Sequence, residues 1–230
     1  MRAADGRTAA LASRRAGMMD RISAAALQEF SQHGLRGTST QNIAERAGIS
    51  KQQLHYYIES KETLYEAILL RTIQHWGHIG LHANDDNSDP AAALARLVQR
   101  KLEFALDYPE VSRLFSGEIM SGGPVIRGIW ERGMGMVDDA CAVIRGWVQD
   151  GKIEPVEPMY LLFNIWALTQ HYADYEAQVR FFTKSPPGKA LDRDKIREAI
   201  TGLVLRGVGL VYPVQAAAAA NVRSEAKRRA

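Results

Sequence analysis

A chain of 230 residues that is 46% apolar and 24% charged has enough apolar material for a sizeable core, which excludes a disordered chain. No segment approaches the ~18–20 apolar residues of a membrane span, no apolar leader core follows the N-terminal arginines, and the lone cysteine, Cys141, excludes an intrachain disulfide and points to a reducing cytoplasm. A net charge of +3 does not by itself argue for nucleic acid, so what matters is where the charge sits.

Residues 1–17 are small and polar and carry Arg2, Arg7, Arg14 and Arg15, which predicts a flexible basic arm. Helical periodicity then dominates. Ile22, Ala25, Ala26 and Phe30 mark a helix stopped at His33-Gly34. Thr40 to Ala47 reads as a short helix closed by Gly48, and Ser50 caps a second one running to about Ile58. Ser60 caps a long helix through Leu64, Ile68, Ile73 and Trp76, and residues 82–90 form a loop. A helix from about Ala91 to Leu106 breaks at Tyr108-Pro109; the next runs to Ser121 and stops at Gly122-Gly123-Pro124. A glycine-dotted stretch extends to Gly151. Glu157-Pro158 opens an aromatic-rich helix, residues 185–188 form a loop, and Asp192 starts the last helix, which ends by Pro213. Residues 214–230 form a basic tail. No alternating run long enough for a sheet occurs and no internal repeat is visible. The expected fold is all-α: an N-terminal three-helix helix-turn-helix domain over 18–63, and a larger C-terminal helical domain for ligand binding and dimerisation over 64–213.

Residues 38–61 carry the DNA-reading pattern. Gly48 supplies a left-handed turn that is cheap only for glycine. Ile49 plugs the angle between two short helices, and Leu54 with Tyr57 or Ile58 buries the second. Two short helices joined by a glycine turn make a helix-turn-helix, whose second helix enters the major groove. Ser50 and Lys51 stand at its start. Gln52 and Gln53 carry amides that match adenine's N6/N7 edge. Lys51 and Lys61 suit phosphates, His55 and Tyr56 offer flat polar groups, and Thr40 and Gln41 can donate to phosphate at the N-terminus of the preceding helix. A solvated three-helix bundle without a ligand is the bland alternative.

Gly34, Thr38, Ile43-Ala44, Ala47-Gly48, Leu54, Tyr57 and Lys61, within a run ending Leu54-His55-Tyr56-Tyr57-Ile58-Glu59-Ser60-Lys61-Glu62-Thr63-Leu64, resemble the DNA-binding domain of the TetR family of one-component regulators. Position 58, often phenylalanine there, is isoleucine here. The resemblance implies an all-helical homodimer with a ligand-binding C-terminal domain. Further blocks are similar to one subgroup of that family, the one containing the pyrimidine-responsive regulator of uracil and thymine utilisation. They are Lys101-Leu102-Glu103, Asp107-Tyr108-Pro109, Ser112-Arg113-Leu114-Phe115, Gly146-Trp147-Val148, Gly151-Lys152-Ile153 and Ile165 to Asp174. This similarity implies a small planar effector such as uracil or thymine.

The second half can also be read from its residues. Phe163, Trp166, Gln170 and Asp174 fall on one helical stripe that turns polar at its end. An apolar wall with a few convergent polar groups is the usual form of a small-molecule site. Gln170 can pair with an imide-like N–H/C=O edge, and Trp166 and Trp76 can sandwich a flat ring. Phe115 completes the expected ligand set, and ordinary core packing of the stripe is the alternative. His75, His78 and His82, at i, i+3 and i+7, could share a face and ligate Zn or Ni, or form a plain polar face; no metal site is assigned. Ala199, Gly202, Arg206 and Gly209 form one stripe of the last helix, beside Ile196, Ile200, Leu203 and Leu210. With the outer face of the Pro158 helix they make the expected dimer surface.

The metalloprotease, phosphate-loop, dinucleotide-loop and nucleophile-elbow signatures are all absent. The expectation is therefore a ligand-responsive regulator, acting as a repressor on a palindromic double-stranded DNA operator, and not an enzyme. A constitutive architectural DNA-binding protein without effector is the competing reading, and a sensor built on the three histidines is a third.

Overall fold

The computed structural model describes residues 2–133 and 135–211; the 214–230 tail lies outside them. Among the described residues every regular element is a helix, as the periodicity predicts. The chain divides into two compact units, residues 1–75 with 110–132, and residues 76–109 with 133–230.

The first unit begins with α1 (Arg2–Gly37), interrupted at Gly34, whose φ of 65° and ψ of 177° leave the helical region. Its backbone is helical from Arg2, so the 1–17 segment continues α1 where a separate arm is expected. Ala3, Ala4, Ala9, Ala10 and Ala12 are strong helix formers, and no proline interrupts them. Next come α2 (Thr40–Arg46), α3 (Lys51–Tyr57) and α4 (Lys61–Ile79), within which the division falls. Ile22, Ala26, Phe30, Ile43, Leu54 and Leu69 are fully buried, with Tyr65 edge-on to Phe30 at 5.0 Å. The helices α6 (Pro109–Met120) and α7 (Ile126–Gly133) also belong here, and Leu114 and Ile129 join the same core.

Buried Glu118 ties these parts together. Its carboxylate accepts from the Tyr65 hydroxyl at 2.9 Å and from the backbone N–H groups of Val125 at 2.7 Å and Ile126 at 3.2 Å. Three donors satisfy a charge that would otherwise be costly to bury.

The second unit holds the remainder of α4, then α5 (Pro90–Asp107), α8 (Gly135–Gln149), α9 (Pro158–Asp174), α10 (Glu176–Thr183) and α11 (Arg193–Gly207). Asp89 caps α5 through the N–H groups of Ala91 and Ala92, and Asp192 caps α11 through that of Lys195. The helix α5 packs on α9 and α11. Their shared core contains Leu94, Leu97, Ile144, Trp147, Leu162, Ile165 and Val204. The Trp147 indole N–H donates to the Asn87 carbonyl at 2.9 Å and pins the loop before α5.

The glycine-dotted stretch before Gly151 contains two helices, α7 and α8. Buried Ala140, Cys141, Ile144 and Trp147 recur at helical spacing, and burying that face outweighs the ~1 kcal/mol that each interior glycine costs.

The Tyr65 phenol is pushed above its ordinary value of 10, first by burial and then by the Glu118 carboxylate. An acid whose folded pKa lies above its unfolded one contributes stability that is complete below pH 10 and falls as pH rises beyond it. Tyr65→Phe should lower stability by about 1–2 kcal/mol at neutral pH and flatten the loss above pH 10. Denaturant titrations of both proteins from pH 7 to 11 read both effects.

Candidate functional site

The reading head is built by local geometry. Ser39 caps α2 through the Asn42 N–H. Gly48 adopts φ 67°, and Arg21 donates to the Ala47 carbonyl at 2.6 Å, just before it. A Cβ at Gly48 would lie 3.2 Å from that guanidinium, so both backbone angle and space favour glycine. Ser50 and Gln53 close a capping box: the Gln53 N–H donates to Ser50 Oγ at 3.1 Å, and the Ser50 N–H donates to Gln53 Oε1 at 2.9 Å. Leu54 and Ile58 anchor the buried side of α3. Lys51, Gln52, Gln53, His55 and Tyr56 are exposed, with Tyr56 71% accessible.

Several expected DNA contacts are already engaged within the protein. The Gln53 amide oxygen already accepts one bond in the capping box, while no hydrogen bond of its NH2 occurs among the described residues. Lys61, expected to suit a phosphate, donates through Nζ to the carbonyls of Leu35 at 2.8 Å and Thr38 at 2.7 Å. Two of its three donors therefore tie α4 to the end of α1, because an ammonium beside orphan carbonyls is held by them. Gln41 donates to Glu45 Oε1 at 2.6 Å on the surface, and Thr40 is half-buried at the start of α2. Conversely, Arg15 lies over the Tyr56 and Tyr57 rings, its guanidinium carbon 5.5 and 5.7 Å from their centroids. The helix-forming arm brings this cation to the end of α3, a placement that the alanine content of residues 3–12 foreshadows.

In the second unit Trp76, Trp166, Gln170 and Asp174 are half-buried, and Asp174 is engaged with the protein. Phe163 does not line an enclosed wall: it is 50% exposed, edge-on to Trp166 at 5.6 Å and near Tyr160 at 6.5 Å. Phe115 is on α6 and packs against the core of the first unit. Gln170 makes no hydrogen bond among the described residues. An open recess of about 340 Å3 beside Gly151, Glu154 and Gly209 is lined by none of these aromatics. The helix α4 ends at Ile79, so His82 does not continue the face of His75 and His78, and no group of metal-ligating side chains occurs among the described residues.

A residue outside the expected ligand set lies beside Trp76 and Trp166. Lys101 is only 8% exposed, and its ammonium lies 4.1 Å from the Trp76 ring centroid and 5.9 Å from that of Trp166. It has no hydrogen bond or ion pair among the described residues. Burial pushes its pKa down to about 7. The signal was present in the sequence: Leu94, Leu97, Val98, Lys101, Leu102 and Ala105 form the buried stripe of α5, with one lysine in it.

Residues 22–68 match the family described as bacterial regulatory proteins, tetR family, and residues 69–211 match the YcdC-like protein, C-terminal region. The chain belongs to the TetR family. It is 38% identical over 188 residues to the HTH-type transcriptional regulator RutR of Escherichia coli, covering 81% of this chain and 88% of that one. Two solved structures share the TetR-type fold. The SCO4942 protein of Streptomyces coelicolor has a TM-score of 0.64 at 20% identity, covering 82% of this chain and 97% of that one. AibR, in complex with isovaleryl coenzyme A and operator DNA, has a TM-score of 0.63 at 19% identity, covering 81% and 97%. No helix among the described residues is long and apolar enough to cross a membrane.

A base whose folded pKa is depressed carries a stability penalty that is complete below pH 7 and is relieved as pH rises towards 10.5. Lys101→Met, similar in length and without the charge, should therefore raise the melting temperature at pH 6–7. That gain should shrink by pH 10, as calorimetry of both proteins across this range would read.

Proposed function

We propose that this TetR-family chain is an effector-controlled repressor acting in the cytoplasm on a palindromic double-stranded operator. Two copies would place their α3 helices in successive major grooves, ~34 Å apart or a multiple of that. The observation that carries the DNA assignment is the exposed row Lys51, Gln52, His55 and Tyr56 on a helix whose opposite side is anchored by Leu54 and capped by Ser50. Lys51 and Arg15 serve phosphates, Gln52 reads a base edge, and the free NH2 of Gln53 adds a donor. Thr40 and Gln41 reach phosphate from the N-terminus of α2.

The homodimer is supported by an apolar surface on the second unit. Tyr160, Phe163, Phe181, Phe182 and Leu203 are each at least half exposed on α9, α10 and α11. A surface of this kind marks an interface. Phe163 thus serves the partner chain better than a ligand.

The effector is a small flat molecule, with uracil and thymine the first choices because of the Ile165–Asp174 block and its relatives. It would be held by Trp76, Trp166 and Gln170. Its binding favours the dimer geometry that misfits the groove, and a coupling of about 3 kcal/mol shifts operator affinity ~100-fold. The chemistry assigned to these residues is binding and not catalysis.

Gln52→Ala and Tyr56→Ala should each weaken specific operator binding by tenfold or more, with the dimer unchanged in sedimentation. Saturating uracil or thymine should release wild-type protein from the same duplex. Unchanged affinity in both variants would remove α3 as the reading helix.

A further inference from the structure

We propose that Lys101 is the polar anchor of the effector: its ammonium takes a carbonyl or carboxylate oxygen on the rim of a flat ring held against Trp166. The proposal rests on the effector assignment above and adds the group that recognises it. Three observations carry it. Lys101 as a residue is more than nine-tenths buried, and its ammonium has no counterion and no hydrogen bond among the described residues. An ammonium needs acceptors, and aromatic faces replace only part of its lost hydration. Two indole faces flank it at unequal distances, 4.1 Å for Trp76 and 5.9 Å for Trp166.

The longer distance matters. Offset-stacked rings have centroids about 4.5–7 Å apart, and a charge-assisted N–H···O bond spans about 2.7–2.9 Å. A six-membered ring stacked on the Trp166 face nearer Nζ would bring a rim oxygen within reach of the ammonium. One helical turn beyond Trp166, Gln170 has a half-buried amide without a hydrogen bond. It can meet a neighbouring N–H or C=O of the same ring. One lysine kept on an otherwise apolar buried stripe is the expected mark of a group kept for a ligand.

Calorimetric titration of the full-length chain with uracil and, separately, with benzoate tests this. Uracil is a neutral ring with carbonyl oxygens, and benzoate is a ring with a carboxylate. Both probes are run on wild type, Lys101→Met and Lys101→Gln, each first checked for an intact melting transition. The expected result is that the probe that binds wild type binds both variants at least tenfold more weakly. If uracil binds all three proteins equally, Lys101 is not the anchor and the pyrimidine assignment survives. If only benzoate binds, and needs Lys101, the anchor stands and the pyrimidine assignment falls. Benzoate binding that ignores Lys101, or no binding of either probe to wild type, overturns the anchor.

Discussion

A helix of seven residues does not hold its shape in water, because nucleation costs more than so few hydrogen bonds return. The reading head depends on overcoming that. Gly48 bends the chain where other residues would be strained, and the capping box satisfies the first free amides of α3. Leu54 and Ile58 hold its inner side against the first unit's core. What remains outside is a short row of side chains in a fixed direction. Lys61 and Arg21 extend the same logic, since both donate to carbonyls that would otherwise end unpaired at the junctions of α1, α2 and α4.

The second unit shows the opposite economy. Its core is well packed around Leu97, Ile144 and Ile165, yet one position of the α5 stripe is a lysine. A methionine there would fill similar space without charge. Keeping the ammonium beside two tryptophans lowers stability and leaves an acceptor-seeking group next to aromatic surface. Rigid anchoring in one unit and an incompletely satisfied group in the other are what a switch between DNA and a small molecule requires.

Much of this was legible in the sequence, and the exceptions have physical reasons. Glycine stops, serine and aspartate caps and 3.6-residue spacing located α2, α3, α5, α9 and α11, since these signals are local. The helices α7 and α8 were hidden because glycines weaken local preference while the buried faces that rescue them are tertiary. The bonds of Lys61 to Leu35 and Thr38 were not legible, because these partners lie more than twenty residues earlier and meet it only on folding. Gln53 matched an adenine edge by type, but a capping box competes for the same amide. Lys101 could have been found, because a lone lysine on an apolar stripe stands out once the stripe is drawn.

The central claim is that two copies of one glycine-hinged helix read DNA as a symmetric pair. Selection from a random pool of duplexes, followed by anisotropy titration of the enriched sequence against its scrambled version at physiological salt, tests it most directly. The account predicts enrichment of a palindrome bound ~1,000-fold or more tighter than the scramble. Equal retention of both duplexes would contradict it.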